Sequence, residues 1–166
     1  MIRSIKDFLS AWEYESDATL KQFAVLTDAS LAQRVIPEGR TLGRLAWHIA
    51  LSPGEMLRTA GIPFEGPPDD APVPASAREI HDVYKKAAEA VTRKLPEAWT
   101  DAMLPEMIPM YGRHWPRSMV LSSLLAHQTH HRGQMTVLMR QAGLRVPGVY
   151  GPAKEEWAAM DLPPQE

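Results

Sequence analysis

Between residues 117 and 142 the large apolar side chains Val120, Leu124, Met135 and Leu138 recur every three to four positions. Two histidines, His127 and His131, fall on that same stripe. Residues three and four apart share one face of a helix, whereas a strand would send alternate residues to opposite sides. The run therefore demands one long helix with an inward face, and it aims two imidazoles at a single point inside the protein. A second stripe at helical spacing, Leu45, Ile49 and Met56, carries His48 in the same way. A buried neutral imidazole offers one donor and one acceptor nitrogen, and both need partners. Three such rings left unpartnered would cost on the order of several kcal/mol. A divalent ion takes up the three lone pairs together. The second nitrogen of each ring then needs an acceptor of its own, for which Gln128, Gln134, Glu55 and backbone carbonyls are the candidates.

Two more segments carry helical patterns, which makes four. The first covers about residues 4 to 27, with Ile5, Phe8, Leu9, Trp12, Leu20, Phe23 and Leu26 inward and Glu13, Glu15 and Asp17 facing water. The second covers about 41 to 60, with Thr41 as N-cap and Gly61 followed by Pro63 as the stop. The third covers about 77 to 95, where Ser76-Ala77-Arg78-Glu79 has the form of a capping box and Pro96 marks the end. The fourth covers about 117 to 142, with Pro116 suited to its first turn and Gly143 to the left-handed position after it. The proline-rich stretch 61–74 reads as an ordered surface crossover. Residues 97–116 form a second irregular connection, in which Met107 to Met110 reads as briefly extended. Four long helices with two long connections define an all-α class, a four-helix bundle, and 166 residues make one domain spanning residues 1–166.

Charge and composition narrow the function classes. A net charge of −2 gives no basic footprint for nucleic acid, and no polybasic stretch reads as a membrane anchor. No apolar run approaches the roughly 20 residues of a membrane span, and the polar N-terminus lacks the apolar core of a signal peptide. The expected location is cytoplasmic. The chain has no cysteine, so any thiol chemistry needs a thiol from outside.

The residues around the pair of histidines exclude one familiar reading. A zinc protease helix carries Glu directly after its first histidine as general base. Gln128 stands there instead and cannot take a proton. His130 points about 100° away from His131 and reads as a neighbour. His81 and His114 read as surface residues, although His114, Glu55 or Asp28 could close the site as a fourth ligand. Trp12, Trp47, Tyr111 and Trp115 are the candidate pocket walls, and Gly133 reads as a point of close helix contact.

Three segments carry a family likeness. Leu42-Gly43-Arg44-Leu45-Ala46-Trp47-His48-Ile49 resembles the first-histidine helix of the DinB/YfiT-like family of metalloenzymes. Ser123 to Gln134 resembles that family's His-x-x-x-His-Arg-Gly-Gln signature, and Gly143 to Pro152 is similar to its closing loop. The resemblance implies an up-down-down-up bundle, often a homodimer, with a divalent ion, zinc or nickel, on His48, His127 and His131. It also implies chemistry with a low-molecular-weight thiol, since relatives of this kind include thiol-dependent S-transferases and a mycothiol-dependent isomerase.

Three neutral ligands leave the full charge of such an ion at its open position. That charge lowers the pKa of water to about 7 and favours the thiolate of a bound thiol. The first effect gives a metal-dependent hydrolase. The second gives a thiol transferase or isomerase acting on a small-molecule substrate, which is the favoured reading because the family resemblance implies it and because no general base is evident beside the ligands. The competing class is a non-catalytic protein of the stress-associated type that binds a metal or small ligand.

Overall fold

The structure, a computed structural model, describes residues 2–161 and 163. Four helices dominate it: α1 (Ile5–Phe23), α2 (Leu42–Thr59), α3 (Ala77–Ala98) and α4 (Arg117–Gln141). A two-stranded antiparallel hairpin, β1 (Met107–Met110) and β2 (Arg113–Pro116), stands immediately before α4.

Cross-helix bonds fix the direction of each rod. Gln33, ahead of α2, donates to Gln141 at the end of α4, and Tyr111, ahead of α4, donates to Glu55 late in α2, so α2 and α4 run antiparallel. The amide of Ile5 bonds Asp101 beyond the end of α3 while Phe23 packs on Tyr84 near its start, so α1 and α3 are antiparallel as well. Glu15 and Thr19 of α1 both meet Arg132 of α4. The order is up-down-down-up. Parallel neighbours α2 and α3 require the long crossover, as the chain length between them allows.

The apolar stripes form the core. Val120, Leu124, Met135 and Leu138 of α4 are buried, as are Leu45, Ile49 and Met56 of α2 and Ile5, Phe8, Trp12 and Phe23 of α1. The crossover is pinned, not loose. Ile62 and Phe64 are buried in the core, Trp47 donates its indole N–H to the carbonyl of Ala71, and Arg58 bonds the carbonyl of Phe64 and pairs with Asp69.

Helix ends follow their caps. Thr41 accepts from the amide of Arg44. Gly143 lies at φ 75°, and Leu144 donates back to Met139, the six-to-one bond of a Schellman motif. Only half of the expected capping box at Ser76 forms: its hydroxyl accepts from Glu79, while Asp28, arriving from another segment, caps the amide of Ala77 at 2.7 Å.

Two expectations are corrected. Pro96 does not end α3, which continues to Ala98. Its amide nitrogen lies in the last turn, so the helix loses one bond and still closes with Trp99 donating to Leu95. The stretch 97–116 is more ordered than irregular. Tyr111 and Gly112 both have positive φ (50° and 75°), as a two-residue type I′ hairpin loop requires, and the pairing they set joins Met107 to Pro116 and Met110 to Arg113.

Candidate metal centre

The antiparallel packing of α2 on α4 decides the site. It brings His48 to the level of His127 and His131, and the three rings form a nearly equilateral triangle with centroids 4.6–4.8 Å apart. One ligand nitrogen from each ring lies within 4.8 Å of the other two. The Nε2 atoms of His48 and His127 are 3.1 Å apart. Two nitrogens bound to one tetrahedral zinc would stand about 3.3 Å apart, from zinc–nitrogen bonds of about 2.05 Å. The spacing fits a shared ion. These three residues are the ones the sequence nominated.

Electrostatics favour neutral rings with free lone pairs. Burial, followed by the neighbouring rings His127 and His131 and then Arg40 and Arg44, lowers the pKa of His48 to about 4. Burial, followed by His131, His130 and Arg40, lowers His127 to about 4. His131 is lowered by burial, and the bond to Gln134 partly opposes this. That bond runs from Nδ1 of His131 to Oε1 of Gln134 at 2.8 Å. It places the ring proton on Nδ1 and leaves the Nε2 lone pair for an ion.

Of the other proposed acceptors, neither side chain serves. Gln128 turns away into the core, where its carbonyl oxygen accepts from Tyr84 at 2.7 Å. Glu55 accepts from Tyr111. Nδ1 of His127 is buried with no protein partner among the described residues. None of the candidate fourth ligands joins the group: Asp28 caps α3, Glu55 holds Tyr111, and His114 is exposed on β2. His130 is exposed and bonds Gln134 through its Nε2, as a neighbour should. His81 pairs with Asp82.

Several wall candidates lie elsewhere. Trp12 is fully buried between α1 and α3, its N–H donated to Ala88. Trp47 is buried beneath the crossover. Tyr111 and Trp115 pack ring to ring on the hairpin at 5.6 Å, and Tyr111 reaches Glu55, seven residues along α2 from His48. That is about 10 Å at 1.5 Å per residue. Gly133 makes no close contact, since a Cβ built there meets nothing within 4 Å. A separate cleft of about 380 Å³, walled by α2 and α3 and roofed by Phe64 to Pro67, contains none of the three histidines.

The signature residue that sequence reasoning left without a role is Arg132. It is 2 % exposed and pairs with Glu15 of α1 at 2.6 Å. It also bonds the Glu15 carbonyl, the Thr19 hydroxyl and the Tyr150 hydroxyl. Glu15 therefore does not face water, contrary to the helical pattern. It is buried and further held by Thr129 and Tyr150. The sequence carries no clear signal for this pair, since a residue next to His131 points about 100° away from it and only the packed helix shows that Arg132 faces α1.

Known proteins agree with this architecture. The sequence model of the DinB family matches residues 1–166. The Bacillus subtilis (strain 168) protein YrdA is 48% identical over 162 residues, covering 98% of this chain and 97% of its own. A crystal structure of a DinB-like protein from Bacillus cereus ATCC 10987 superposes with a TM-score of 0.86 at 49% identity, over 90% of this chain and 100% of that one. A second DinB-like protein, YjoA of Bacillus subtilis, shares the fold alone, with a TM-score of 0.64 at 18% identity over 82% of this chain and 92% of its own. The four-helix order, the triad of imidazoles and these likenesses together place the chain in the DinB family.

Proposed function

We propose that this protein is a metal-dependent enzyme in which His48, His127 and His131 hold a divalent ion, zinc or nickel, and which uses a low-molecular-weight thiol to transfer or isomerise a small electrophilic substrate. One observation carries the reading: three neutral imidazoles from two helices converge within 4.8 Å with no fourth protein ligand among the described residues. A closed structural zinc site takes four protein ligands, whereas a catalytic one takes three and keeps a position open. When bound, the ion supplies positive charge that favours the thiolate form of a thiol. The chain's part is orientation and exclusion. Gln134 fixes the ring of His131, the buried faces of α2 and α4 keep water from the back of the triad, and among the described residues no carboxylate joins it to act as a general base for hydrolysis. The absence of cysteine fits a thiol that arrives as a cosubstrate. The protein is proposed to act in the cytoplasm as a homodimer; among the described residues no helix is long and apolar enough to cross a membrane.

The test is a panel of low-molecular-weight thiols with electrophiles, run on metal-loaded protein and on His127→Ala. Thiol-dependent turnover by the parent protein, lost in the variant, supports the reading. Equal turnover by both rejects it, and turnover of ester or amide substrates without thiol would favour a hydrolase.

A further inference from the structure

Two arginines stand close to the elements that carry the histidine centre. Arg40 lies in the loop that leads into α2, and Arg44 lies one helical turn before His48 on the same side of α2. Both side chains are exposed. Arg40 also lines a groove of about 340 Å³ with Val35, Gly39, Leu45, Gln134 and Leu138. Gln134 is the residue that bonds Nδ1 of His131, so one wall residue of the groove also holds a ring of the triad. Its walls, Val35, Leu45 and Leu138, are apolar, and Arg40 is its one charged group.

Neither guanidinium has an ion-pair partner among the described residues. The arginines that do pair are Arg58, Arg78, Arg117, Arg132 and Arg140. Arg40 shares its groove with Gln134, the residue that holds His131, and Arg44 stands four residues before His48 on α2. Glu55, on the same helix, is held by Tyr111. An arginine that serves only solubility has no need to sit unpaired beside a centre meant for a cation, because it raises the cost of placing positive charge there. The arrangement makes sense if the incoming molecule brings negative charge. A guanidinium offers a planar fork that matches a carboxylate, sulfonate or phosphate, and a one-sign cleft steers such a molecule inward.

We propose that Arg40, assisted by Arg44, is an anion-recognition subsite for the histidine centre, so that the molecule approaching the ion carries a second, anionic group seated in the Arg40 groove. The inference rests on the metal reading above and adds the charge class of the ligand. Its apolar walls call for a short hydrocarbon spacer between the reacting atom and the anion.

The experiment uses the cobalt-loaded protein with two thiols of the same length, 2-mercaptoethanesulfonate and 2-mercaptoethanol. Sulfonate is a weak metal ligand, so a preference reports the protein and not chelation. Thiolate-to-cobalt charge-transfer absorption reads affinity without turnover. The anionic thiol is expected to bind roughly tenfold more tightly at low salt, with the ratio shrinking as ionic strength rises. Arg40→Gln should bring the ratio close to one, Arg40→Lys should keep part of it, and Arg40→Glu should invert it. The cobalt ligand-field spectrum of each variant checks that the triad is intact. Equal affinities in the parent protein, or a ratio untouched by Arg40→Gln and Arg40→Glu, overturn this inference alone. A protein that takes up no cobalt overturns the metal reading and this inference with it.

Discussion

At the scale of single residues, the centre is governed by what each ring's second nitrogen meets. Gln134 is exposed and contributes little to the core, but it is the acceptor that sets the tautomer of His131. Replacing it with Leu should lower metal affinity about 10- to 100-fold, the usual cost of losing such a partner, with thermal stability of the metal-free protein nearly unchanged. Chelator competition measures the first and calorimetry the second. The lowered pKa values of His48 and His127 also make a pH prediction for the metal-free protein. Unfolded, each ring binds a proton near 6.5; folded, each resists until about 4. The unfolded state therefore binds more protons in that window, and stability falls as pH drops from about 6.5 to about 4. His48→Gln and His127→Gln should each flatten that slope in denaturant titrations. The identity of all three histidines was legible in sequence, because each sits on an apolar stripe. Their outer partners were not: Gln128 and Gln134 both flank the triad in sequence, and only the packed helix shows that one faces Tyr84 and the other His131.

At the scale of elements, α1 and α4 are joined by a buried ion pair that helical periodicity misassigned. Glu15 lies between charged and polar neighbours, so its sequence pattern reads as solvent-facing; in fact its carboxylate is buried against Arg132. Removing one partner leaves the other charge buried. Arg132→Leu should destabilise by about 3–5 kcal/mol, and Glu15→Leu with Arg132→Leu together should cost less than that single change. Equilibrium urea unfolding of the set distinguishes a true strut from surface decoration. The C-terminal end of α4 gives a cleaner case. Gly143 has φ 75° and open space where a Cβ would go, so Gly143→Ala carries only the backbone penalty, about 1 kcal/mol. That position was readable from sequence because glycine after a periodic run has a local cause. The hairpin before α4 was read only as a short extended piece, since its turn, Tyr111-Gly112, lacks the usual Asn or Asp at the first position.

At the scale of the whole molecule, the bundle and the centre depend on each other. Any ion that binds only the folded state stabilises it, by about 4 kcal/mol when the free ion exceeds its dissociation constant a thousandfold. For a chain of this length that corresponds to a rise of about 10 °C in Tm. Zinc or nickel added to the stripped protein should produce such a shift in scanning calorimetry, and His48→Ala should abolish most of it. Stripe spacing, caps and proline-rich connections are local properties, so the sequence alone determined four helices of nearly the observed extents and the faces on which the histidines lie. Local properties cannot say which residue of one rod comes level with which residue of another. The antiparallel docking of α2 on α4 set the 3.1 Å approach of His48 to His127, and the parallel docking of α1 on α4 sank Glu15 beside Arg132. The approach of the loop before α2 set Arg40 in one groove with Gln134. These are outcomes of packing many side chains at once, where the burial of the whole core fixes the register between helices and each polar group takes the partner that register leaves within reach.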